Sequence, residues 1–149
     1  MKRACEICGE AYTYKLQDRV TLELEPPVCS RGCFQTLVRR IIIESERLSI
    51  SIDGPVPQIL RNMFEVKVHT LLKSMGLTAY YEAFLFEHYL PDFLVRCEPF
   101  VGQVFIEAKG LWQAGAHKKV RKFKAYLQDK GSDIFVIDDA VLRRLSGKS

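Results

Sequence analysis

The stretch from Leu90 to Trp112 constrains the fold most, because it contains two candidate strands with charged residues at their ends. Its sequence is LPDFLVRCEPFVGQVFIEAKGLW. Asp92 begins the first candidate strand, and Glu107 and Lys109 end the second. Gly102 lies between the strands and predicts a hairpin turn, so antiparallel pairing brings Asp92 close to Glu107. We therefore expect two carboxylates and one ammonium group at one sheet edge.

These three side chains match the chemistry of a metal-assisted reaction. Successive strand residues face opposite sides of a sheet, so Phe105, Glu107 and Lys109 share one side. The opposite side is apolar and predicts core; it carries Val104, Ile106 and Ala108. Paired carboxylates bind hard divalent cations, and an adjacent lysine can hold a water molecule or a phosphate oxygen. Taken singly, each residue fits an exposed ion pair or a turn better, but the combination favours a catalytic interpretation.

Composition and charge favour a globular protein with a polyanionic partner. The chain has 149 residues, is 48% hydrophobic and carries a formal charge of +4. That length allows one core and a small appended module. The basic residues are clustered, which favours nucleic acid as the partner. The amino terminus has no apolar signal-peptide region, and IIIESERLSI is too short and too charged to span a bilayer, so we expect an intracellular protein.

Four cysteines have the spacing of a zinc site. Cys5 and Cys8 form C-x2-C, and Cys29 and Cys33 form C-x3-C. The second pair lies where a loop enters a predicted helix, and four thiolates are typical of structural zinc. The alternatives are two disulfides or free buried cysteines, but an intracellular chain of this size keeps its thiols reduced unless a metal binds them. The sequence around these cysteines resembles a treble-clef or zinc-ribbon finger.

The helices and the domain boundary follow from periodicity. An amphipathic helix is predicted from Phe34 to Leu48, and Gly54, Pro55 and Pro57 mark a turn after it. We expect residues 1–53 to form the zinc module with its helix, and residues 54–149 to form a second domain. A second helix is predicted at roughly 58–75, with Glu65 on its flank and leaning toward the sheet.

The remaining elements complete a mixed α/β pattern. AYYEAFLFEHYLP predicts a strand that pairs with the one beginning at Asp92. A third helix is predicted from Ala114 to Lys130, and SDIFVIDD predicts a buried strand before a short closing helix over 140–145. The third helix has a basic face suited to a phosphate backbone. That face carries Lys118, Lys119, Arg121, Lys122 and Lys124. Cys97 has no partner by spacing and predicts a core or strand-end residue.

The order of these elements and the literal motif resemble the PD-(D/E)xK nuclease superfamily. The motif is Pro91-Asp92, fourteen residues, then Glu107-Ala108-Lys109. Within that superfamily, LPDFLV, VFIEAKGLW and FEVKVHTLLKSMGL look most like the phage endonuclease I group of Holliday-junction resolvases. The match spans about 61–119. The resemblance implies a restriction-endonuclease-like core, a mixed sheet flanked by helices.

The same resemblance implies a metal-dependent DNA endonuclease. Glu65, Asp92 and Glu107 would bind magnesium or manganese, and Lys109 would orient the attacking water. A resolvase that makes two cuts in a symmetric junction suits a homodimer. The amino-terminal finger and the short interval from Glu65 to Asp92 depart from that group. Other interpretations stay open: a nicking, repair or restriction-type endonuclease, or a zinc-finger DNA-binding protein with an inactive nuclease fold.

Overall fold

The computed structural model describes residues 2–14, 23–48, 50–51, 60–87, 89–110 and 116–147. In chain order its elements are β1 (Lys2–Ala4), β2 (Ala11–Thr13), α1 (Arg31–Glu44), a 3-10 turn (Ser45–Leu48), α2 (Met63–Ser74), β3 (Thr78–Tyr81), β4 (Phe93–Arg96), β5 (Val104–Ala108), α3 (Ala116–Gln128), β6 (Ile134–Ile137) and α4 (Asp139–Ser146). The fold is therefore mixed α+β, as the sequence predicts.

A four-stranded mixed sheet in the order β3-β4-β5-β6 forms the centre. The first three strands are antiparallel, and β6 runs parallel to β5 after the crossover through α3. From α2 to β6 the order helix, strand, strand, strand, helix, strand is the predicted one. The carboxyl end of β5 lies between the start of β4 and the end of β6, which places Glu107 among three strands.

Both faces of the sheet are buried, although only one apolar face was expected. On β5, Val104 and Ile106 belong to one hydrophobic cluster, and Phe105 belongs to another; all three are fully buried. The first cluster includes residues of α1, α2 and α4, and the second includes residues of α3. Helices on both sides remove water from both faces of the strand. Glu107 is consequently a core residue and does not lie on a solvated sheet face.

The amino-terminal segment shares a hydrophobic core with the sheet. Cys5, Phe34 and Ile42 lie in the same cluster as Val104 and Ile106, and the Phe34 ring meets Phe135 of β6 at 6.3 Å between centroids. The predicted boundary between residues 53 and 54 therefore does not separate two hydrophobic cores. The turn residues Gly54, Pro55 and Pro57 lie outside the described residues.

Several predicted elements are shorter in the structure. Helix α2 begins at Met63, because the Asn62 side chain accepts a hydrogen bond from Glu65 N and caps the helix there. Its predicted start at 58 lies outside the described residues, as does the predicted start of α3 at 114. The predicted strand over 79–91 reduces to β3, which extends only to Tyr81. Glu82 follows with φ +47, a left-handed conformation that ends the strand.

Gly102 marks a close approach between the end of α1 and the start of β5. A Cβ atom at this position would lie 1.9 Å from Ile42 O and 2.7 Å from Ser45 Oγ. The hydroxyl of Ser45 donates to Gln103 O at 2.9 Å and accepts from Gln103 N at 3.0 Å. The glycine is therefore needed for helix-to-strand packing, which the sequence interpretation as a simple turn did not foresee.

Candidate active site and metal centre

Asp92 and Glu107 are joined by reciprocal hydrogen bonds. The pairing of Phe93 with Ile106 continues outward to place Asp92 opposite Glu107. The Glu107 carboxylate accepts from Asp92 N at 2.7 Å, and the Asp92 carboxylate accepts from Ala108 N at 2.8 Å. Each carboxylate thus fixes the backbone of the strand that carries the other. The predicted proximity of the two residues is confirmed.

Burial and mutual repulsion disfavour ionisation of this pair. Burial, then the Glu107 charge, raises the pKa of Asp92 to about 7, although the Ala108 N–H and the Lys109 charge act to lower it. Burial also raises the pKa of Glu107, against the Lys109 charge and the Asp92 N–H. Glu107 is only 3% exposed. Two adjacent carboxyl groups with raised pKa values are typical of a site that a divalent cation can neutralise.

Lys109 lies beside the carboxylate pair at the end of β5. Its Nζ is 3.4 Å from Glu107 Oε2, and the lysine side chain is 29% exposed against 4% for the glutamate. The backbone N–H of Lys109 donates to Ile137 O at 3.1 Å, which holds the residue in register with β6. The lysine side chain therefore contacts the buried carboxylate and is also partly exposed to solvent.

Glu65 lies near the pair but is not part of it. It is buried in the first turn of α2, where its carboxylate accepts from Tyr81 Oη at 3.0 Å and from Arg61 N at 3.0 Å. Its charge contributes to the raised pKa of Asp92. Among the described residues, no group of three carboxylates has its oxygens close enough together to hold one metal ion. The structure thus brings Asp92, Glu107 and Lys109 together and leaves Glu65 at the edge of the site.

The four predicted cysteines form one compact group. Their sulfur atoms all lie within 4.8 Å of one another, with Cys8 and Cys29 separated by 3.6 Å and Cys29 and Cys33 by 3.8 Å. Four ligands at about 2.3 Å from a tetrahedral ion are themselves about 3.8 Å apart. No disulfide joins them; all are free thiols. The group is therefore close enough to hold a metal ion.

Local structure explains how the cysteines meet. Cys5 follows β1, and the turn to β2 includes Gly9 at φ +79. Ser30 caps α1 by accepting from Cys33 N, which places Cys29 before the helix and Cys33 in its first turn. Burial raises the pKa of Cys5, but the backbone N–H groups around it outweigh burial and lower the pKa to about 6. These N–H groups stabilise a thiolate, the form that binds metal.

The basic face of α3 is exposed except for one lysine. Lys118, Lys119, Arg121 and Lys122 are exposed. Lys124 instead turns inward, where its Nζ contacts Asp133 Oδ1 at 2.6 Å and Ile134 O at 2.8 Å. Burial lowers its pKa, against the Asp133 charge. Lys124 therefore joins α3 to β6 and is separated from the basic face to which the sequence assigned it.

Two tyrosines beside the acidic residues were missed in the sequence. Tyr81 donates to Glu65, and burial followed by this hydrogen bond raises its pKa to about 12. Tyr89 lies near Glu107, and its hydroxyl is buried beside the Glu107 carboxylate. Burial and the Glu107 charge raise its pKa. Both tyrosines belong to the aromatic run YYEAFLFEHY, which the sequence analysis interpreted as one continuous strand. That interpretation does not predict which of the rings lie beside the acidic residues.

Comparisons with models of protein families, with curated proteins and with solved structures find no match. Within the part of the chain that the structure describes, no helix has both the length and the apolar character needed to cross a membrane.

Proposed function

We propose that this protein is a metal-dependent DNA endonuclease that hydrolyses phosphodiester bonds. The observation that carries the proposal is the Asp92–Glu107 pair, buried and reciprocally hydrogen-bonded at the ends of the two central strands, with Lys109 Nζ 3.4 Å from Glu107 Oε2. The exposed basic face of α3 supports a nucleic-acid substrate. The helix-strand order from α2 to β6 supports a restriction-endonuclease-like core.

The donor set fits a hard divalent cation, magnesium or manganese. Asp92 and Glu107 would supply carboxylate oxygens, and burial raises the pKa of each although the Lys109 charge acts to lower it, which favours a cation with more charge than one lysine. A bound cation would lower the pKa of a coordinated water and offset charge on the leaving oxygen. Glu65, on the neighbouring helix, is the candidate for an additional ligand acting through water.

The chain's own residues would perform orientation and proton handling. The reciprocal hydrogen bonds fix the two carboxylates before substrate arrives, so little reorganisation is needed. Lys109 Nζ, partly exposed, is placed to hold the attacking water or a non-bridging phosphate oxygen. Burial of Glu107 limits competing solvent at the site. Positioning of this kind raises the rate of the chemical step more than it raises affinity.

Within this proposal, the preferred substrate is branched DNA, cut by a homodimer of resolvase type. The alternatives are a nicking, repair or restriction-type endonuclease. A second candidate function is DNA binding without cleavage, and one observation favours it: the carboxylate of Glu65 does not converge with those of Asp92 and Glu107. Cleavage data separate these possibilities.

We also propose that the four-cysteine group binds one structural zinc ion. Four sulfur ligands leave no open position for a reacting water, so the centre would serve stability and not chemistry. The sulfur separations of 3.6 and 3.8 Å support tetrahedral coordination. A zinc-bound amino terminus fits an intracellular protein.

The test is nicking of supercoiled plasmid DNA by the full chain with EDTA, magnesium, manganese or calcium. We expect cutting with magnesium or manganese, and DNA binding without cutting with calcium, which accepts looser coordination. Asp92→Asn and Glu107→Gln should abolish cutting while DNA binding stays near wild type. Lys109→Met should lower the single-turnover rate by on the order of a hundredfold.

The matched control is Asp129→Asn, which neutralises an exposed carboxylate after the end of α3. It should cut at the wild-type rate. Cutting that persists in both Asp92→Asn and Glu107→Gln would reject the active-site assignment. A folded wild-type chain that binds DNA but never cuts would favour the DNA-binding alternative. A panel of branched, flapped, mismatched and linear duplexes identifies the preferred substrate.

A further inference from the structure

A cavity of about 510 Å³ lies beside the basic face of α3, outside the carboxylate pair. Its size falls within the roughly 300–1,000 Å³ typical of ligand pockets. The lining is mainly aromatic and includes Phe84, Phe86, Tyr89, Phe123 and Tyr126. Tyr126 is 46% exposed and Phe84 is 40% exposed. Large rings are thus available to a ligand, although such rings are normally buried.

The rings are arranged as faces and edges around the cavity. Phe123 and Tyr126 lie nearly parallel, with 16° between their planes, and Phe84 meets Phe86 edge-on at 4.8 Å. Phe123 also stacks on Tyr89 at 4.7 Å. Flat aromatic faces held by other rings are suited to stacking on a planar ligand.

The charges around the cavity match a nucleotide. Lys119 and Lys122 line it, and Lys118 and Arg121 extend the basic surface along the same helix. A planar base attached to a phosphate needs both an aromatic face and nearby cations. Glu87 also lines the cavity and can accept a hydrogen bond from an exocyclic amino group of a base. The cavity therefore offers partners for the base and for the phosphate of a nucleotide.

Tyr89 connects this cavity to the candidate active site. Its ring lines the cavity and stacks on Phe123, while its buried hydroxyl lies beside the Glu107 carboxylate. One side chain therefore spans the distance between the aromatic lining and the carboxylate pair. A DNA strand whose phosphate lies at Asp92 and Glu107 would have a neighbouring base within reach of the cavity.

We propose that the cavity lined by Phe84 and Tyr126 binds one unpaired nucleobase of the DNA strand that is cut. This inference rests on the proposed endonuclease function and adds a substrate class to it: DNA with an unstacked base near the scissile phosphate, as at a bulge, fork or branch. A base in a continuous duplex is stacked on its neighbours and cannot enter such a cavity without being extruded.

The test is binding of two oligonucleotide duplexes to the full chain in calcium buffer. One duplex carries 2-aminopurine in a three-nucleotide bulge, and the other carries it at a fully paired position. We expect tighter binding of the bulged duplex, with quenching of its fluorescence as the base stacks. Tyr126→Ala should reduce the preference for the bulged duplex by about tenfold, the effect of losing one stacking ring. Phe84→Ala should act in the same direction.

Tyr126→Phe is the matched control, because it keeps the ring and removes only the hydroxyl, and it should retain the preference. Val101→Ala removes apolar surface elsewhere, from a side chain that is 52% exposed, and should also behave as wild type. Melting temperatures verify that each variant is folded.

Equal binding of the two duplexes by an enzyme that cuts DNA with magnesium would overturn this inference and leave the proposed function intact. Absence of magnesium-dependent cutting of any DNA would overturn both. If Tyr126→Ala dissociates a dimer without changing the preference for the bulged duplex, the cavity binds a second copy of the chain, and the inference is wrong.

Discussion

Asp92 has neighbours that stabilise opposite protonation states. Burial and the charge of Glu107 favour its neutral form, whereas the Ala108 N–H and the Lys109 charge favour the carboxylate. The balance raises its pKa from 3.8 to about 7. At the scale of single residues, the metal-free site therefore retains a proton that the unfolded chain releases at lower pH.

This difference predicts how stability depends on pH without metal. Between pH 3.8 and about 7 the folded chain binds more protons at Asp92 than the unfolded chain, so stability falls as pH rises through 7. Asp92→Asn keeps an oxygen acceptor for Ala108 N and removes the titration. In EDTA at pH 8 it should be more stable than wild type by roughly 1–4 kcal/mol, since each pKa unit corresponds to about 1.4 kcal/mol.

The measurement is urea unfolding in EDTA from pH 5 to pH 8. Asp129→Asn, at an exposed position, should follow the wild-type pH profile. Parallel profiles for wild type and Asp92→Asn would show that Asp92 does not titrate as described. Added magnesium should reduce the difference between the two proteins at pH 8, because bound metal stabilises only the intact pair.

At the scale of elements, the contact between the end of α1 and the start of β5 fixes how closely a helix approaches the central strand. Gly102→Ala should destabilise the protein by about 1–3 kcal/mol, because its Cβ would lie 1.9 Å from Ile42 O, a backbone atom that cannot turn aside. Gly32→Ala is the control: a Cβ there meets nothing within 4 Å. Thermal unfolding that ranks the two variants equally would contradict the described packing.

The basic face of α3 predicts how the proposed DNA binding depends on salt. Lys118 is exposed on this helix. Each phosphate that a lysine neutralises adds about 0.9 to the magnitude of the slope of log K against log salt. Lys118→Ala should therefore reduce the magnitude of that slope by about one, and it should weaken the binding of bulged and fully paired duplexes equally. Lys73→Ala, in the last turn of α2, should leave the slope unchanged. Equal effects of the two variants would remove α3 from the interface.

The part of the site that depends on local pairing could be predicted from the sequence. Asp92 immediately precedes β4 and Glu107 lies in β5, and the two strands are joined by a short connection, so hairpin register alone brings the two residues together. The four cysteines were likewise predictable, because ligand spacing is a local property. The order of helices and strands from α2 to β6 could also be predicted, because hydrophobic periodicity is a local property of the sequence.

Contacts that depend on how helices pack against the sheet and on one another could not be predicted in this way. The approach of Gly102 to Ile42, the inward turn of Lys124 toward Asp133 and the contact of Glu65 with Tyr81 all depend on tertiary packing. The pattern around Glu107 was also ambiguous, because an acidic residue on an otherwise apolar strand fits a solvated face until helices are known to cover both sides.

At the scale of the whole molecule, the cysteine group and the sheet share one hydrophobic core. Cys5, Phe34 and Ile106 share a hydrophobic cluster, and Arg144 of α4 donates to Val28 O and Pro26 O at 3.1 Å each. The proposed zinc, if its binding is coupled to folding of the amino-terminal segment, would therefore stabilise the entire chain.

Cys33→Ser should release zinc and lower the unfolding temperature of the entire chain in a single transition. The wild type should contain about one zinc per chain by elemental analysis. Cys97→Ala is the control, because Cys97 is buried after β4 and is not part of the four-cysteine group, so zinc content should be unchanged. Two separate unfolding transitions, with only the first shifted by Cys33→Ser, would contradict a shared core.

The lack of a Cβ atom at Gly102 constrains which substitutions can accumulate on either side of the contact between α1 and β5. The end of α1 rests on β5 at a distance that only this glycine permits, and Ser45 is matched to Gln103 by two hydrogen bonds. The amino-terminal segment could therefore not be exchanged by recombination for an unrelated segment without disturbing this contact. A replacement segment would keep the contact only if Gly102 and Gln103 came with it. Substitutions near Ser45 and substitutions at Gly102 or Gln103 should therefore occur together.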